Sequence, residues 1–533
     1  MFLRPADNFD HIYLPYHFMQ TQMMYVLVAL SLLISCSKKN TVSSSTGNST
    51  HTHTYYVGVN GNDAGAGAIN TPFAKINTAL SKAIPGDTVM VRAGTYFEKI
   101  TVPGSGNSGS PIVIMAYPGE RPVIDGSNIS VSGWTAVVNF SGISNVTLDG
   151  FDICNLNSYT SNVDVEGVYI AGNSHDIKIK NCHIYNIKNN ATLANGRSGH
   201  AILAIGNGTA AITNLVITGC SVHDTQTGTS ENITLAGNID GFTVSLDTLF
   251  NIENIGIIIA GGDNLNPSGN TATNYARNGV VSDNVLYNVS MSNHADIWGA
   301  GNYGAIPIYI CGGAGTVVER NKVSNSDRGI GLVSESNIYP TKTSIVRNNF
   351  VYHCWRTGIY MGDYLNFTGV GTKNCYVVNN TLLGNNKAPG AFGEIEGELR
   401  LTEHCDSNVI MNNLVYAEAA DLFVHKYTTT GSNNVINNNL YFTTATPGWI
   451  WQSTNGIPSA TLSAWQTASG MDANSIYGTD PLLASIANPD LHIQSMSPAK
   501  NAGVVISAAV NGSTDIDGNP RIVNGKISIG AQQ

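Results

Sequence analysis

The chain has 533 residues, with 26 Lys and Arg against 36 Asp and Glu, which gives a formal net charge of −10 at pH 7. Apolar residues make up 42% and charged residues 12%. This composition excludes a disordered chain, which combines low hydrophobicity with high charge, and a nucleic-acid-binding protein, which clusters Lys and Arg. Lys and Glu cover the solvent faces of most helices, so their scarcity beside 56 Gly favours strands and turns.

The first feature in chain order is the apolar run 23–34, which is shorter than the roughly 20 residues that span a bilayer and suits the core of a signal peptide. It ends in Leu33-Ile34-Ser35-Cys36, which resembles the lipobox of bacterial lipoproteins and implies that Cys36 is acylated. We therefore predict a signal peptide over 1–35, with an upstream extension over 1–22, and a lipidated, flexible tether over 36–54. The resemblance implies an exported protein anchored in envelope lipid, at the outer membrane or cell surface. An ordinary cleaved signal peptide with an incidental Cys is the alternative.

A helix is predicted over 71–84, where Phe73, Ile76, Leu80 and Ala83 form an apolar stripe before Pro85-Gly86. The phrase [V/I]-x-[V/I/L]-x-x-N-x-[V/I/L] then recurs from 146 to 441, at gaps that vary by about a dozen residues. Each copy is a short alternating strand, a bend and a second strand, which predicts an all-β, single-stranded right-handed parallel β-helix capped by the helix. A β-sandwich or a propeller would need Asn-Gly hairpin turns, which are sparse.

The sixth position of the phrase predicts what stacks inside the coil. Cys182 and Cys220 share it, so we expect buried, unpaired thiols. Six consecutive copies have Asn there, which predicts an amide ladder along the axis at Asn284, Asn321, Asn349, Asn380, Asn413 and Asn439. The predicted organisation is an N-terminal strand and helix over 55–86, the β-helix of about ten or more coils over 87–445, and terminal coils with a closing segment over 446–533.

The beginning and end of the repeat region carry a family resemblance. The segment from Tyr55 to Ile100, then PIVIMAYPGERPVIDGS at 111–127, and DPLLASIANPDLHIQSMSPAKNAG at 480–503 resemble bacterial pectate-lyase-like β-helix proteins, the pectin-lyase-like solenoids. The resemblance covers residues 55–533 and implies the fold. Such proteins include polysaccharide lyases, glycoside hydrolases and epimerases, so the fold alone does not fix the activity.

Aromatic and acidic side chains mark the predicted outer face of the coil. Tyr169, Tyr309 and Tyr360 alternate with inward aliphatics and could stack on sugar rings, or pack as a lateral ladder. Glu335 and Asp363 close what look like equivalent strands, and Arg328 and Arg356 open them. Arg328 is predicted to bind substrate together with the three tyrosines. A second cluster holds Asp224 and Glu231, with Asp240 and Arg277 downstream.

The segment Glu394-Ile-Glu396-Gly-Glu398-Leu-Arg400 places three carboxylates on one face if the strand alternates regularly. With Asp363 they predict a Ca²⁺ site, since this cation accepts several carboxylate oxygens. The alternative is a solvated rim of salt bridges to Arg328, Arg356 and Arg400. We expect Glu396 to be exposed, so that Glu396→Gln would abolish activity and leave stability nearly unchanged.

The segment GEIEGELRL resembles the Glu pair of alginate- and dermatan-degrading β-helix lyases, in which a lysine base follows. Here Arg400 or His404 is the nearest candidate base, with Arg356 and Arg400 beside the substrate carboxylate. We therefore predict a monomeric polysaccharide lyase that acts on a uronate-containing glycan, with no organic cofactor. An inverting glycoside hydrolase and a non-catalytic glycan-binding or structural surface lipoprotein remain as alternatives.

Overall fold

Three long parallel sheets run side by side along the molecule. The computed structural model describes residues 52–191, 197–262, 270–363, 369–388, 396–418, 421–446 and 448–533. Cys36, the predicted signal peptide, most of the tether and Glu394 lie outside these ranges, so the predictions made for them remain predictions.

The chain visits the sheets in turn, so each coil adds one strand to a sheet. The first sheet consists of Thr54–Val57, Thr88–Val91, Ile112–Ala116, Val146–Asp149, Ile177–Lys180, Ile212–Thr218, Ile239–Ser245, Val280–Ser282, Val317–Glu319, Ile345–Arg347, Tyr376–Val378, Val409–Met411 and Val435–Asn437, with Ala276–Arg277 beside Ile239–Ser245. The second consists of Ile100–Thr101, Trp134–Asn139, Val163–Ala171, Arg197–Gly206, Glu231–Gly237, Ile255–Ala260, Ile306–Cys311, Ile330–Ser334, Ile359–Asp363, Leu399–Leu401, Leu422–Lys426 and Gly448–Ile450. The third consists of Thr95–Tyr96, Val123–Asp125, Asp152–Cys154, His183–Tyr185, Ser221–His223, Thr248–Ile252, Val285–Val289, Lys322–Ser324, Phe350–Tyr352, Thr381–Leu383, Leu414–Tyr416, Leu440–Phe442 and Ile476–Tyr477.

Shorter elements complete the described parts of the chain. The small sheets pair Asn157–Ser158 with Lys188–Asn189, join Thr341–Lys342, Thr372–Lys373 and Cys405–Asp406, and pair Leu483–Ser485 with Asp490–Ile493. The helices are Ile76–Leu80, Ala295–Trp298, Leu462–Ser469 and Ala508–Asn511, with 3₁₀ turns at Gly126–Asn128 and Met291–His294. None of these helices is long and apolar enough to cross a membrane.

The predicted parallel β-helix is confirmed, because the coils pair in parallel register along all three sheets. One core of Ile, Val and Leu fills the coil from Val57 to Trp465. The N-terminal helix is confirmed but shorter than predicted: it spans Ile76–Leu80 and buries Ile76, Ala79 and Leu80 against the first coils.

The interior ladders are also confirmed. The Asn284 amide donates to Asn321 Oδ1 at 2.9 Å, and the same bond repeats through the row to Asn439 at 2.9–3.1 Å. Cys182 and Cys220 are buried and unpaired. The coils from Asn284 to Asn439 are therefore joined to one another by side-chain amides as well as by backbone bonds.

Candidate functional site

The outer face of the second sheet carries the predicted tyrosines in one row. Strand register aligns Tyr169, Leu203, Thr234, Ile258, Tyr309, Gly331, Tyr360, Arg400 and His425. Tyr309 and Tyr360 are only 1% and 2% exposed, and their rings stack across Gly331 with centroids 6.3 Å apart. These two rings fit the ladder alternative, whereas Tyr169 is half-buried and contacts Trp134. Substrate binding by the three tyrosines stays a prediction.

Three arginines and one glutamate lie together at the C-terminal part of this face. We call them the arginine cluster: Arg328, Arg356, Arg400 and Glu396. Arg356 and Arg400 donate to Glu396 Oε1, and an Arg328 nitrogen lies 3.8 Å from the same oxygen. Glu396 is 2% exposed, so the expectation of an exposed carboxylate is wrong. Burial alone would raise the pKa of Glu396, but the three guanidinium charges outweigh it and hold that pKa far below its usual range. The predicted salt bridges are therefore real but buried rather than solvated.

The other predicted carboxylates meet different partners. Glu398 accepts hydrogen bonds from the Asn385 backbone and side-chain amides at 2.8 and 2.6 Å, and burial raises its pKa to about 7. Asp363 is fully buried against His404. Asp363 pairs in register with Ser334, so the predicted equivalence of Asp363 with Glu335 is wrong by one residue.

These contacts bear on the predicted calcium site. Among the described residues, no group of three or more His, Cys, Asp or Glu side chains is placed to hold a metal ion. Glu396 already has three guanidinium partners, and Glu398 and Asp363 have separate partners of their own. The described residues thus do not form a Ca²⁺ cage, and a site that includes Glu394 stays a prediction.

The Asp363 carboxylate orients the imidazole of His404. Its Nδ1 lies 3.0 Å from both carboxylate oxygens of Asp363, and its side chain is 27% exposed. Burial raises the pKa of Asp363, although the contact with His404 opposes that change. Of the two predicted bases, His404 is oriented by a carboxylate, while Arg400 is held by Glu396.

A second group on the same outer face was not predicted as a site. It comprises Asp164, His200, Glu231, Thr234 and Glu335, and we call it the His200 cluster. The first four residues lie on three consecutive strands of the second sheet. His200 Nδ1 is 2.9 Å from Thr234 Oγ1, which donates to Glu231 Oε2 at 3.0 Å. His200 Nε2 lies 3.9 Å from Asp164 Oδ1.

One tautomer of His200 follows if the Thr234 hydroxyl donates to Glu231 Oε2 and an acid proton of Glu231 is on Oε1. The Thr234 oxygen then accepts from His200 Nδ1–H. In that tautomer the lone pair of a neutral imidazole is on Nε2, on the side of Asp164.

Burial sets the protonation states. It lowers the pKa of His200, although the charge of Asp164 opposes this. It raises the pKa of Glu231 to about 8, with Glu335 and Asp164 adding to the increase. Burial also raises the pKa of Glu335, against the hydrogen bond from Tyr309 at 2.6 Å and the charge of Arg328. At pH 7 a neutral imidazole and a protonated carboxylic acid therefore lie side by side, with 3.9 Å between His200 Nδ1 and Glu231 Oε2.

Strict alternation along the strand would point His200 into the interior, because it is three residues before the outward-facing Leu203. Val165 and Val168 both point into the core, however, so the alternation breaks between them. Glu166 and His200, which pair in register at this break, consequently lie on the outer face. Glu231 did stand out as a member of an acidic cluster, but nothing in the sequence linked it to His200.

Comparison with known proteins places the chain in a class. Residues 55–251, which include Asp164, His200 and Glu231, match the family described as Pel9A-like, right handed beta helix region. The chain is a pectate-lyase-like right-handed β-helix protein. It is 31% identical over 447 residues to the uncharacterized protein YwoF of Bacillus subtilis. The aligned residues make up 83% of this chain and 91% of YwoF. The chain belongs to the same family as YwoF.

Two pectate lyases are also similar to the chain, one over a short segment and the other at low sequence identity. Pectate lyase PEL9 of Emericella nidulans is 38% identical over 75 residues, which is 14% of this chain and 18% of that enzyme. The crystal structure of pectate lyase Pel9A covers 90% of this chain and 96% of its own, with 14% identity and a TM-score of 0.41.

Proposed function

We propose that the protein is a carbohydrate-active enzyme, a polysaccharide lyase that cleaves a uronate-containing glycan by β-elimination. The observation that carries the proposal is the pairing of a neutral imidazole, His200, with a protonated carboxylic acid, Glu231, on the outer face of the second sheet. The short matching segment of a pectate lyase supports the same reaction class.

Each group has one role in the elimination. His200 Nε2 takes the proton from the sugar carbon next to the carboxylate, and that electron pair forms a carbon–carbon double bond. The bond from the adjacent ring carbon to the glycosidic oxygen breaks, and Glu231 gives its proton to the departing oxygen. Acid–base assistance of this kind contributes about 10²–10⁴-fold to a rate.

The substrate carboxylate needs positive charge beside it, because the proton on the neighbouring carbon is otherwise not acidic enough. The Arg328 guanidinium lies 5.1 Å from the centroid of the Tyr360 ring, which stacks on Tyr309. Tyr309 donates to Glu335, so these two rings connect the arginine cluster with the His200 cluster. Arg328 then neutralises the uronate, with Arg356 and Arg400 in support. His404, held by Asp363, is the second candidate base.

An inverting glycoside hydrolase is the second candidate function. Asp164 and Glu231 lie on opposite sides of His200, each 3.9 Å from one of its nitrogens. A protonated acid and a separate carboxylate base are what an inverting hydrolase needs.

The test is a panel of uronate-containing and neutral polysaccharides, assayed with and without chelator. A lyase produces an unsaturated uronate that absorbs in the ultraviolet, whereas a hydrolase produces reducing ends without that absorbance. We expect His200→Gln and Glu231→Gln to abolish the absorbance, while His175→Gln, which changes an exposed His beside Asp176, keeps it. Reducing ends without absorbance would favour the hydrolase, and glycan binding without turnover would leave a binding protein.

We also propose that the protein is exported and anchored to the bacterial envelope through Cys36. The apolar run 23–34 and the Ser35-Cys36 junction support this proposal.

A further inference from the structure

We propose that Trp134 is a sugar-binding platform that holds a ring of the glycan outside the two rings joined by the bond that breaks. Trp134 begins the strand Trp134–Asn139 on the second sheet and is 47% exposed. Along the same outer face, Leu203, Ile258, Tyr309 and Tyr360 are at most 2% exposed. The indole of Trp134 is thus exposed to solvent, whereas those four apolar side chains are buried. An exposed indole offers a flat apolar surface to a ligand.

The indole is held in place and lies next to the His200 cluster. Its ring meets the Tyr169 ring edge to face, with centroids 5.7 Å apart. Trp134 pairs in register with Asp164, whose carboxylate is 3.9 Å from His200 Nε2. The strand of Trp134 is two strands from that of His200, or about 10 Å at the usual strand spacing. That separation places Trp134 beyond the two sugars that share the bond that breaks.

Polar side chains continue from Trp134 along the coil axis. Ser198 pairs in register with Asp164, and the hydroxyls of Ser198 and Ser230 lie 2.5 Å apart. The Asp164 side chain is 16% exposed, and Ser198 is half-buried. An indole followed by a carboxylate and hydroxyls matches a pyranose, which has an apolar face of C–H groups and a rim of hydroxyls. The ligand class is therefore a glycan that lies along the coil axis.

This inference rests on the proposed function, so the experiment separates the two. In a Glu231→Gln background that binds without turnover, we would measure the dissociation constants of uronate disaccharides and longer uronate oligosaccharides by calorimetry. Trp134→Ala should weaken binding of the longer oligosaccharides about tenfold, or about 1.4 kcal/mol, because they lose an aromatic anchor. It should leave binding of the disaccharide nearly unchanged, because the disaccharide does not reach the indole. Trp134→Phe should restore most of the affinity.

Tyr287→Ala is the matched control, since Tyr287 is 38% exposed and stacks on Phe250 on the third sheet. It should bind like the parent. Melting temperatures of all variants check that they fold. Equal affinity of Trp134→Ala and its parent for long oligosaccharides would overturn the platform while the lyase proposal stands. If the wild type neither binds nor cleaves any uronate glycan, the proposed function fails and the platform fails with it.

Discussion

At the residue scale, buried carboxyl groups on the second sheet differ in charge because their neighbours differ. Glu396 faces three guanidinium groups and stays ionised. Glu231 is buried near Glu335 and Asp164, so it holds a proton to about pH 8. The same residue type is thus a structural counterion in one coil and a candidate proton donor in another.

The protonation states predict a bell-shaped pH dependence of activity. Below the lowered pKa of His200 the imidazole is protonated and cannot accept the substrate proton. Above about pH 8 Glu231 has lost the proton that it would donate. We expect kcat/KM to be maximal near neutral pH and to fall on both sides, measured as initial rates from pH 4 to 10. A rate that keeps rising beyond pH 9 would exclude Glu231 as the acid.

Glu231 also affects stability. Because its folded-state pKa is raised to about 8, its favourable contribution is complete below the unfolded pKa near 4.3 and is lost as the pH rises through 8. Glutamine stays neutral throughout. The melting temperature of Glu231→Gln should therefore fall less than that of the wild type between pH 5 and 9. Glu120→Gln, at the exposed Arg92 pair, is the control and should follow the wild type over this range.

Removal of the Glu396 charge should destabilise the fold. Glu396→Gln leaves three buried guanidinium groups facing an uncharged amide, and breaking a buried ion pair in this way costs about 3–5 kcal/mol. Glu120→Gln removes a more exposed pair, with Arg92, and should cost much less. Urea denaturation monitored by circular dichroism measures both. Equal losses for the two variants would show that the arginine cluster contributes no more than a surface pair.

At the scale of the elements, the Asn ladder joins consecutive coils. The Asn349 amide donates to Asn380 Oδ1 and to the Val318 carbonyl, and its oxygen accepts from the backbone and side chain of Asn321. All four bonds are buried, so their loss leaves polar groups without water to replace the partner.

Asn349→Ala should therefore lower the free energy of unfolding by about 2–4 kcal/mol, since several buried donors and acceptors lose partners. Asn128→Ala, at an exposed position of the 3₁₀ turn Gly126–Asn128, should change it by less than about 0.5 kcal/mol. Chemical denaturation compares the two. A small effect of Asn349→Ala would mean that the backbone ladders alone hold the coils together.

At the scale of the whole molecule, the two ends of the coil are closed differently. The helix Ile76–Leu80 packs on the first coils, and Trp465 of the helix Leu462–Ser469 is buried in the same core at the other end. The C-terminal residues then return along the side of the coil, where Leu491, Ile516 and Ile529 pack on the third sheet. This segment covers the last coils of the third sheet.

The location of the whole molecule depends on Cys36. If this residue is acylated, Cys36→Ser should move the protein from the detergent phase to the aqueous phase in a detergent-partition assay of cell envelopes. Ser35→Thr, beside the modified residue, is the control and should keep the partitioning of the wild type. Unchanged partitioning of Cys36→Ser would show that the protein is held by another segment.

The amino-acid sequence by itself determined the coil. Three local patterns predict it: aliphatic residues at every second position, the Asn that recurs from Asn284 to Asn439, and the apolar stripe around Ile76. Each pattern predicts which side chains meet once consecutive coils stack. Only the tertiary structure decided the site. His200 reaches the outer face through a break in alternation at Val165–Val168, and its link to Glu231 joins different strands. Burial then set the charges of Glu231 and Glu396, because the pKa of a carboxyl group depends on solvent and neighbours that no local sequence pattern specifies.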